Sequence, residues 1–330
     1  MNTILIFLAT TLLLIFITRR VTKIPTMIGF YSIAIVGIYL LQLMIPEGFA
    51  DDQVEYFEFV KGGESDLWVS SFKNTGLFLI TFIPIRYLQF DIFSAKVLLF
   101  SLVMLSQLYL LFRIRSLLWF FPILIIVPSY LLHSGLFIRE PMVYMIIPFL
   151  IYSVMFKNLA SSILWLLVVA VLRPEAALIV SPILIYHIKT SDKLKFLILG
   201  LYVVGLLYVM TNTILEDVLN GYRLLFDVQS FLINLDSIIF SAGNLFLGSR
   251  SLDIAGALLI FESVFVFFLI FAIKDKTPIL FAYLVAILLV GSISANSGFI
   301  IRIRSSLVLV TVLWYLCERY KSRLDFRGNT

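Results

Sequence analysis

Apolar runs punctuated by single charges recur from one end of this chain to the other, and that alternation restricts the fold more than any other feature. Runs such as 159–172, LASSILWLLVVAVL, and 278–293, PILFAYLVAILLVGSI, hold no charged residue at all. A water-soluble globule of 330 residues has no interior large enough for a chain that is 61% hydrophobic and 14% charged, with mean hydropathy +1.06. The pattern predicts an all-α polytopic membrane protein, since helices satisfy their backbone within the bilayer. A hydrocarbon core takes roughly 20 apolar residues as helix. On that ruler about eleven transmembrane helices are expected, near 3–18, 27–45, 97–112, 117–132, 141–156, 159–172, 176–188, 195–211, 252–273, 278–293 and 305–318.

Orientation follows from basic residues beside short loops, which stay in the cytoplasm. Arg19, Arg20 and Lys23, Arg113 and Arg115, Lys157, Lys189 with Lys193 and Lys195, Lys274 with Lys276, and Arg319 with Lys321, Arg323 and Arg327 mark one side. They are 15 of the 25 basic residues. The N-terminus is then outside and the C-terminus cytoplasmic. Met1 to Thr18 resembles a signal peptide, but its basic residues follow the apolar stretch, so it is read as a retained first span. The net charge of +5 mostly reflects these flanks and gives no reason to expect nucleic acid as a partner. The segment 76–90 is apolar enough to span, yet counting it would reverse every later loop. It is assigned as a re-entrant or interfacial helix on the outer side, broken at Pro84. The whole chain, 1–330, reads as a single integral membrane domain with two long outer loops, 46–96 and 212–251.

The first outer loop contains the longest polar stretch, Pro46 to Asn74. Asp51, Glu55 and Glu58 share one face at helical spacing and Asp52, Tyr56 and Phe59 the next. A sugar has polar edges and apolar faces, so acids beside rings suit it; Tyr56 and Trp68 are the candidate stacking residues. A solvated amphipathic helix on the bilayer surface is the plain alternative.

The outer basic residues are grouped. Arg139 precedes Glu140 and Pro141, Arg173 precedes Pro174 and Glu175, and Arg302 and Arg304 precede Ser305 and Ser306. Each group is expected at the start of a helix, because proline favours the first turn and an acid or serine can cap it. Backbone amides at a helix start and the guanidinium fork both bind phosphate oxygens, so a pyrophosphate is the guest this pattern suits. For any single arginine, snorkelling to headgroups or pairing with the neighbouring glutamate is the alternative. His133 lies on the same outer edge as a candidate base or phosphate donor, or an interfacial histidine with its own hydrogen bonds. His187 reads as structural. Glu262 lies inside an apolar run, where a carboxyl paired with a neighbouring helix is expected over a proton relay. Two histidines and one cysteine, Cys317, leave no zinc cluster and no intrachain disulfide, and no GxxxxGK, GxGxxG or HExxH occurs. No metal or other cofactor is expected.

Taken in order, the ADDQVEYF box, WVSSFKNTG, YLLFRIR, SGLFIREP, LRPEAALIVSPILI and the late FIIRIR resemble the EpsG and Wzy-type polysaccharide polymerases, within the membrane glycosyltransferases of the GT-C type. The resemblance covers most of the chain, through short motifs. It departs from EpsG-like chains, which often have histidine and serine where Arg173, Pro174 and Glu175 stand, and from Wzy proteins, which often have a larger late outer loop. It implies a GT-C-like fold and a polymerase joining polyprenyl-pyrophosphate-linked oligosaccharide units at the outer face of a bacterial plasma membrane. It also implies a chain-length regulator as partner. Arg139, Arg173, Arg302 and Arg304 fall where the family keeps its arginines, and Asp51 and Asp52 where GT-C enzymes carry their first-loop acid. In that chemistry Asp51 or Asp52 takes the acceptor proton, with Glu140 and Glu175 as further candidates. A single-sugar GT-C transferase and a lipid-linked oligosaccharide flippase are the competing expectations.

Overall fold

A computed structural model of the protein describes residues 6, 8–12, 28–29, 31–37, 57, 90–113, 134–136, 140–156, 158–188, 190–211, 254–292 and 297–328. Among these residues the chain is mostly helical and contains no strand. Eight helices follow in order: α1 Ile92–Arg113, α2 Glu140–Met155, α3 Leu159–Leu172, α4 Pro174–His187, α5 Asp192–Thr211, α6 Ile254–Ala272, α7 Thr277–Ser292 and α8 Ser297–Gly328. Each falls on one of the apolar runs predicted to be helical. The runs near 3–18 and 27–45 lie largely, and 117–132 wholly, outside the described residues, as does 76–89.

Among the described residues no helix is long and apolar enough to cross a membrane. The reason is partly length: α2 and α7 have 16 residues and α3 and α4 have 14, against the roughly 20 of a full span. The 32-residue α8 is charged toward both ends, by Arg302 and Arg304 and by the residues from Glu318 on. In α1, α5 and α6 the side chains are described only over 92–107, 192–205 and 260–272.

The chain divides into two compact units, Met1–Phe149 with Val171–Arg173, and Leu150–Ala170 with Pro174–Thr330. In the first, Asp91 caps α1 by accepting the Ser94 N–H at 2.6 Å. Tyr31 hydrogen-bonds Ser101 and stacks on Phe100, with ring centroids 6.1 Å apart. Pro148 lies inside α2 and has no N–H to give the carbonyl one turn back, that of Tyr144. Gln107 of α1 supplies the missing donor: its Nε2 gives a 3.0 Å hydrogen bond to the Tyr144 carbonyl, in a fully buried setting.

The second unit solves the same problem in the same way. Pro182 inside α4 frees the Leu178 carbonyl, which accepts from Ser181 Oγ at 2.8 Å and from the Tyr202 hydroxyl of α5 at 2.9 Å. α4 packs chiefly on α7, with α5 and α8 beside it. The charged termini of this unit gather at one end. Lys195 lies 5.1 Å from the Tyr186 ring centroid, Tyr186 hydrogen-bonds Asp275, and the Glu318 carboxylate accepts the Lys274 and Asp275 N–H groups at 2.8 and 2.9 Å. Phe156, next to the α2–α3 junction, meets Tyr320 at 6.2 Å.

The lateral surface of this unit is apolar. On α6, Phe261, Val264, Phe267, Phe268 and Phe271 are 50–68% exposed, while Glu262, Val266 and Leu269 on the other face are buried. α3 presents Leu159, Ile163, Leu164 and Leu167 outward, and α5 Leu197, Leu201 and Val204. Hydrophobic faces turned out and a carboxylate turned in reverse the usual amphipathic helix.

Candidate functional site

The first candidate centre lies in the first unit, where Arg173 meets the start of α2. α2 begins at Glu140 with Pro141 second, and α4 begins at Pro174 with Glu175 in its first turn, as the proline and acid positions predict. Arg173, the residue before α4, donates from Nη2 to Glu140 Oε1. The Arg173 side chain is 14% exposed and that of Glu140 only 4%, so the pair is formed largely out of solvent. A carboxylate there aims the guanidinium and is itself held in the first turn of α2, where the helix dipole favours negative charge. Glu175 is buried as well, and its Oε2 has no hydrogen-bond partner among the described residues.

The second centre lies in the interior of the second unit. Arg304 Nε donates to Glu262 Oε1 at 3.0 Å and Arg304 Nη2 donates to Ser263 Oγ at 2.8 Å, joining α8 to α6. Arg304 and Glu262 are almost wholly buried, at 3% and 1% exposure. The Tyr283 hydroxyl of α7 approaches the same pair and hydrogen-bonds Thr311, one to two turns along α8 from Arg304. Ser305 and Ser306 are buried beside it. From Arg304 to Glu318 is 14 residues, about 21 Å along the helix, so the ion pair is far from the basic end of the unit. The carboxyl expected to pair with a neighbouring helix does so.

The structure differs from expectation at the start of α8. The helix begins at Ser297, so Arg302 and Arg304 lie within it and Ser305 and Ser306 do not cap it. α7 ends at Ser292 and α8 begins at Ser297, so the later serines fall where helical hydrogen bonding is already under way. Compared with protein-family models, with curated protein sequences and with solved structures, the chain matches none.

Asp51, Asp52, Tyr56, Trp68, His133 and Arg139 lie outside the described residues, as does the side chain of Arg302. From the acidic-aromatic stretch only Phe57 is described, helical and buried. His187 keeps a structural place: its Nδ1 is 3.2 Å from the Ile183 carbonyl and its ring meets the Trp314 ring edge-on at 4.9 Å. Among the described residues no three of His, Cys, Asp and Glu gather closely enough to hold a metal ion. Ser263, Tyr283 and Thr311 were not predicted from sequence. Ser263 had a signal, since it directly follows the one carboxylate of an apolar run; Tyr283 and Thr311 are isolated polar groups whose convergence only packing reveals.

Proposed function

We propose that this chain is a membrane glycosyltransferase of the polysaccharide-polymerase kind, joining polyprenyl-pyrophosphate-linked oligosaccharide units at the outer face of a plasma membrane. Helices with outward apolar faces and an inward carboxylate support a lipid setting, where the surroundings are less polar than the interior. The observation that carries the catalytic reading is the Arg173–Glu140 pair at the starts of α2 and α4. A guanidinium beside helix starts is suited to diphosphate oxygens, and a carboxylate beside it is suited to take a proton.

In this reaction an acceptor sugar hydroxyl attacks the anomeric carbon of a chain carried on a second lipid. The carbon–oxygen bond to the pyrophosphate breaks, polyprenyl pyrophosphate leaves with the electron pair, and the hydroxyl proton passes to a carboxylate. Charge grows on the leaving diphosphate, so a cation already aimed at it lowers the barrier. Arg139 and Arg173 are assigned to that charge, with Arg302 and Arg304 as further phosphate ligands. Asp51 or Asp52 is the base, with Glu140 and Glu175 as the other carboxylates in play, and Tyr56, Trp68 and His133 contact sugar. A chain-length regulator remains a proposed partner.

Replacing Arg173 with Ala tests the assignment. The expected outcome is single-unit glycan displayed outside the cell in place of a ladder, with the protein retained in the membrane. A normal ladder refutes the role. The buried Glu262–Arg304 network favours a second reading, because ionisable groups inside an apolar bundle mark transport pathways. As a flippase the chain would, when deleted, strand units on the cytoplasmic leaflet instead.

A further inference from the structure

The loop between α6 and α7 is fixed in place by groups that use up its acids. Glu318 of α8 turns its carboxylate onto two backbone N–H groups, those of Lys274 and Asp275, at 2.8 and 2.9 Å. Asp275 accepts from the Tyr186 hydroxyl and from the Thr277 N–H. Lys274 and Lys276 form no ion pair with a described carboxylate, although Asp275 lies between them and Glu318 of α8 reaches the same loop. Lys274 is exposed. The ammonium of Lys276 lies over the Phe271 ring, 5.1 Å from its centroid. That ring is 61% exposed and packs edge-on against Phe267 at 4.7 Å, so the cation sits at the end of the outward phenylalanine stripe of α6.

A cation at the head of an exposed apolar track matches an amphiphile with an anionic head and a long tail. We propose that Lys274 and Lys276 bind the headgroup phosphate of an anionic phospholipid whose acyl chain runs along Phe271, Phe268 and Phe267. The inference rests on the membrane reading above and on nothing in the catalytic one. Other charges at this end are Asp192, Lys193 and Lys195 of α5 and Arg319 and Lys321 of α8. Lys195 is engaged by Asp192 at 3.2 Å and by Tyr186, and Arg319 lies over Tyr315, whereas Lys276 is the cation placed at the track, with exposed Lys274 two residues before it. A zwitterionic lipid offers the same tail without the net charge, so selectivity between headgroups reads the lysines and not the phenylalanines.

The experiment uses the full chain purified in mild detergent and offered phosphatidylglycerol or phosphatidylcholine, with retained lipid counted by native mass spectrometry. Wild type is expected to retain phosphatidylglycerol preferentially. Juxtamembrane basic residues are worth about fivefold each toward anionic lipid, so Lys274→Gln with Lys276→Gln should lower that preference roughly 25-fold. Lys193→Gln, at an exposed position on α5, should leave it unchanged. Phe271→Ala should weaken retention of both lipids while keeping their ratio. Equal retention of the two lipids by wild type, or an unchanged preference in the double variant, overturns the inference and leaves the membrane reading standing. Failure of the chain to associate with vesicles of either lipid overturns both.

Discussion

Breaking and then replacing the Glu262–Arg304 pair separates what holds the second unit together from what it does. The charged atoms are 3.0 Å apart with the side chains at 0% and 3% exposure, and at an effective dielectric near 20 two unit charges at that distance attract by about 5 kcal/mol. Removing one partner leaves the other buried without its counter-charge, so Glu262→Leu or Arg304→Met alone should destabilise by about 3–5 kcal/mol. The double variant replaces the pair by apolar groups of similar volume and should recover most of that loss, giving a coupling of about 3 kcal/mol or more. Thermal unfolding of the purified chain in detergent, with the four proteins of the cycle compared under one condition, measures it. Additive single losses would refute the buried pair as drawn. The function then divides on the same double variant. If Arg304 contacts the diphosphate, stability returns and the glycan ladder does not; a restored ladder would show that the pair serves the fold alone.

Other perturbations bear on single contacts. Gln107→Leu strands the Tyr144 carbonyl and should cost about 1–3 kcal/mol, but in a Pro148→Ala background, where the helix regains its own N–H donor, the same change should cost far less; equal costs in both backgrounds would count against the account of α2. Tyr202→Phe should be milder than Gln107→Leu, because Ser181 still serves the Leu178 carbonyl, and unfolding midpoints compare the two. Burial raises the Asp275 carboxyl above its ordinary value near 3.8, with the nearby Glu318 charge adding to it and the Tyr186 hydroxyl opposing it. A raised carboxyl stabilises the fold when protonated, so its contribution is complete below pH 3.8 and is lost as pH rises through the folded value. Asp275→Asn, which keeps an acceptor for Tyr186, should therefore raise the unfolding midpoint at neutral pH and flatten its decline above pH 4; a midpoint that falls equally at every pH would mean the carboxylate is needed as an ion.

The helices were legible in the sequence because each is an apolar run closed by charge, and the starts of α2 and α4 were legible because proline and glutamate sit where a first turn tolerates them. The start of α8 was misplaced, since Arg302 and Arg304 looked like a boundary and are instead carried inside a longer helix. Charge marks the edge of a span only when it has no partner within, and the partner here is on α6, some 40 residues earlier in the chain. The Arg173–Glu140 contact had a local expectation, an arginine neutralised by the acid next to it, but the acid this bond reaches lies 33 residues away. Spacing along one helix can be read from a sequence; whether an arginine reaches a glutamate on another helix depends on how helices pack.

Two prolines lie inside described helices, and in each case the packing meets the carbonyl that the proline frees. A carbonyl freed by proline at a helix surface in water can bond solvent, whereas a buried one needs a donor from a neighbour. Here both freed carbonyls, those of Tyr144 and Leu178, are met by side chains, and Gln107 and Tyr202 each come from another helix to do it. The exposed phenylalanines of α6 bear on the surroundings, because four such rings, each 57–68% bare to solvent, would draw copies of the chain together in water. A helix that faces its carboxylate inward and its rings outward is stable where the surroundings are less polar than the core. Moving Glu262 to the outer face, by the exchange Glu262→Phe with Phe261→Glu, should therefore abolish recovery of the chain from membranes; in a water-facing helix the same exchange would improve solubility.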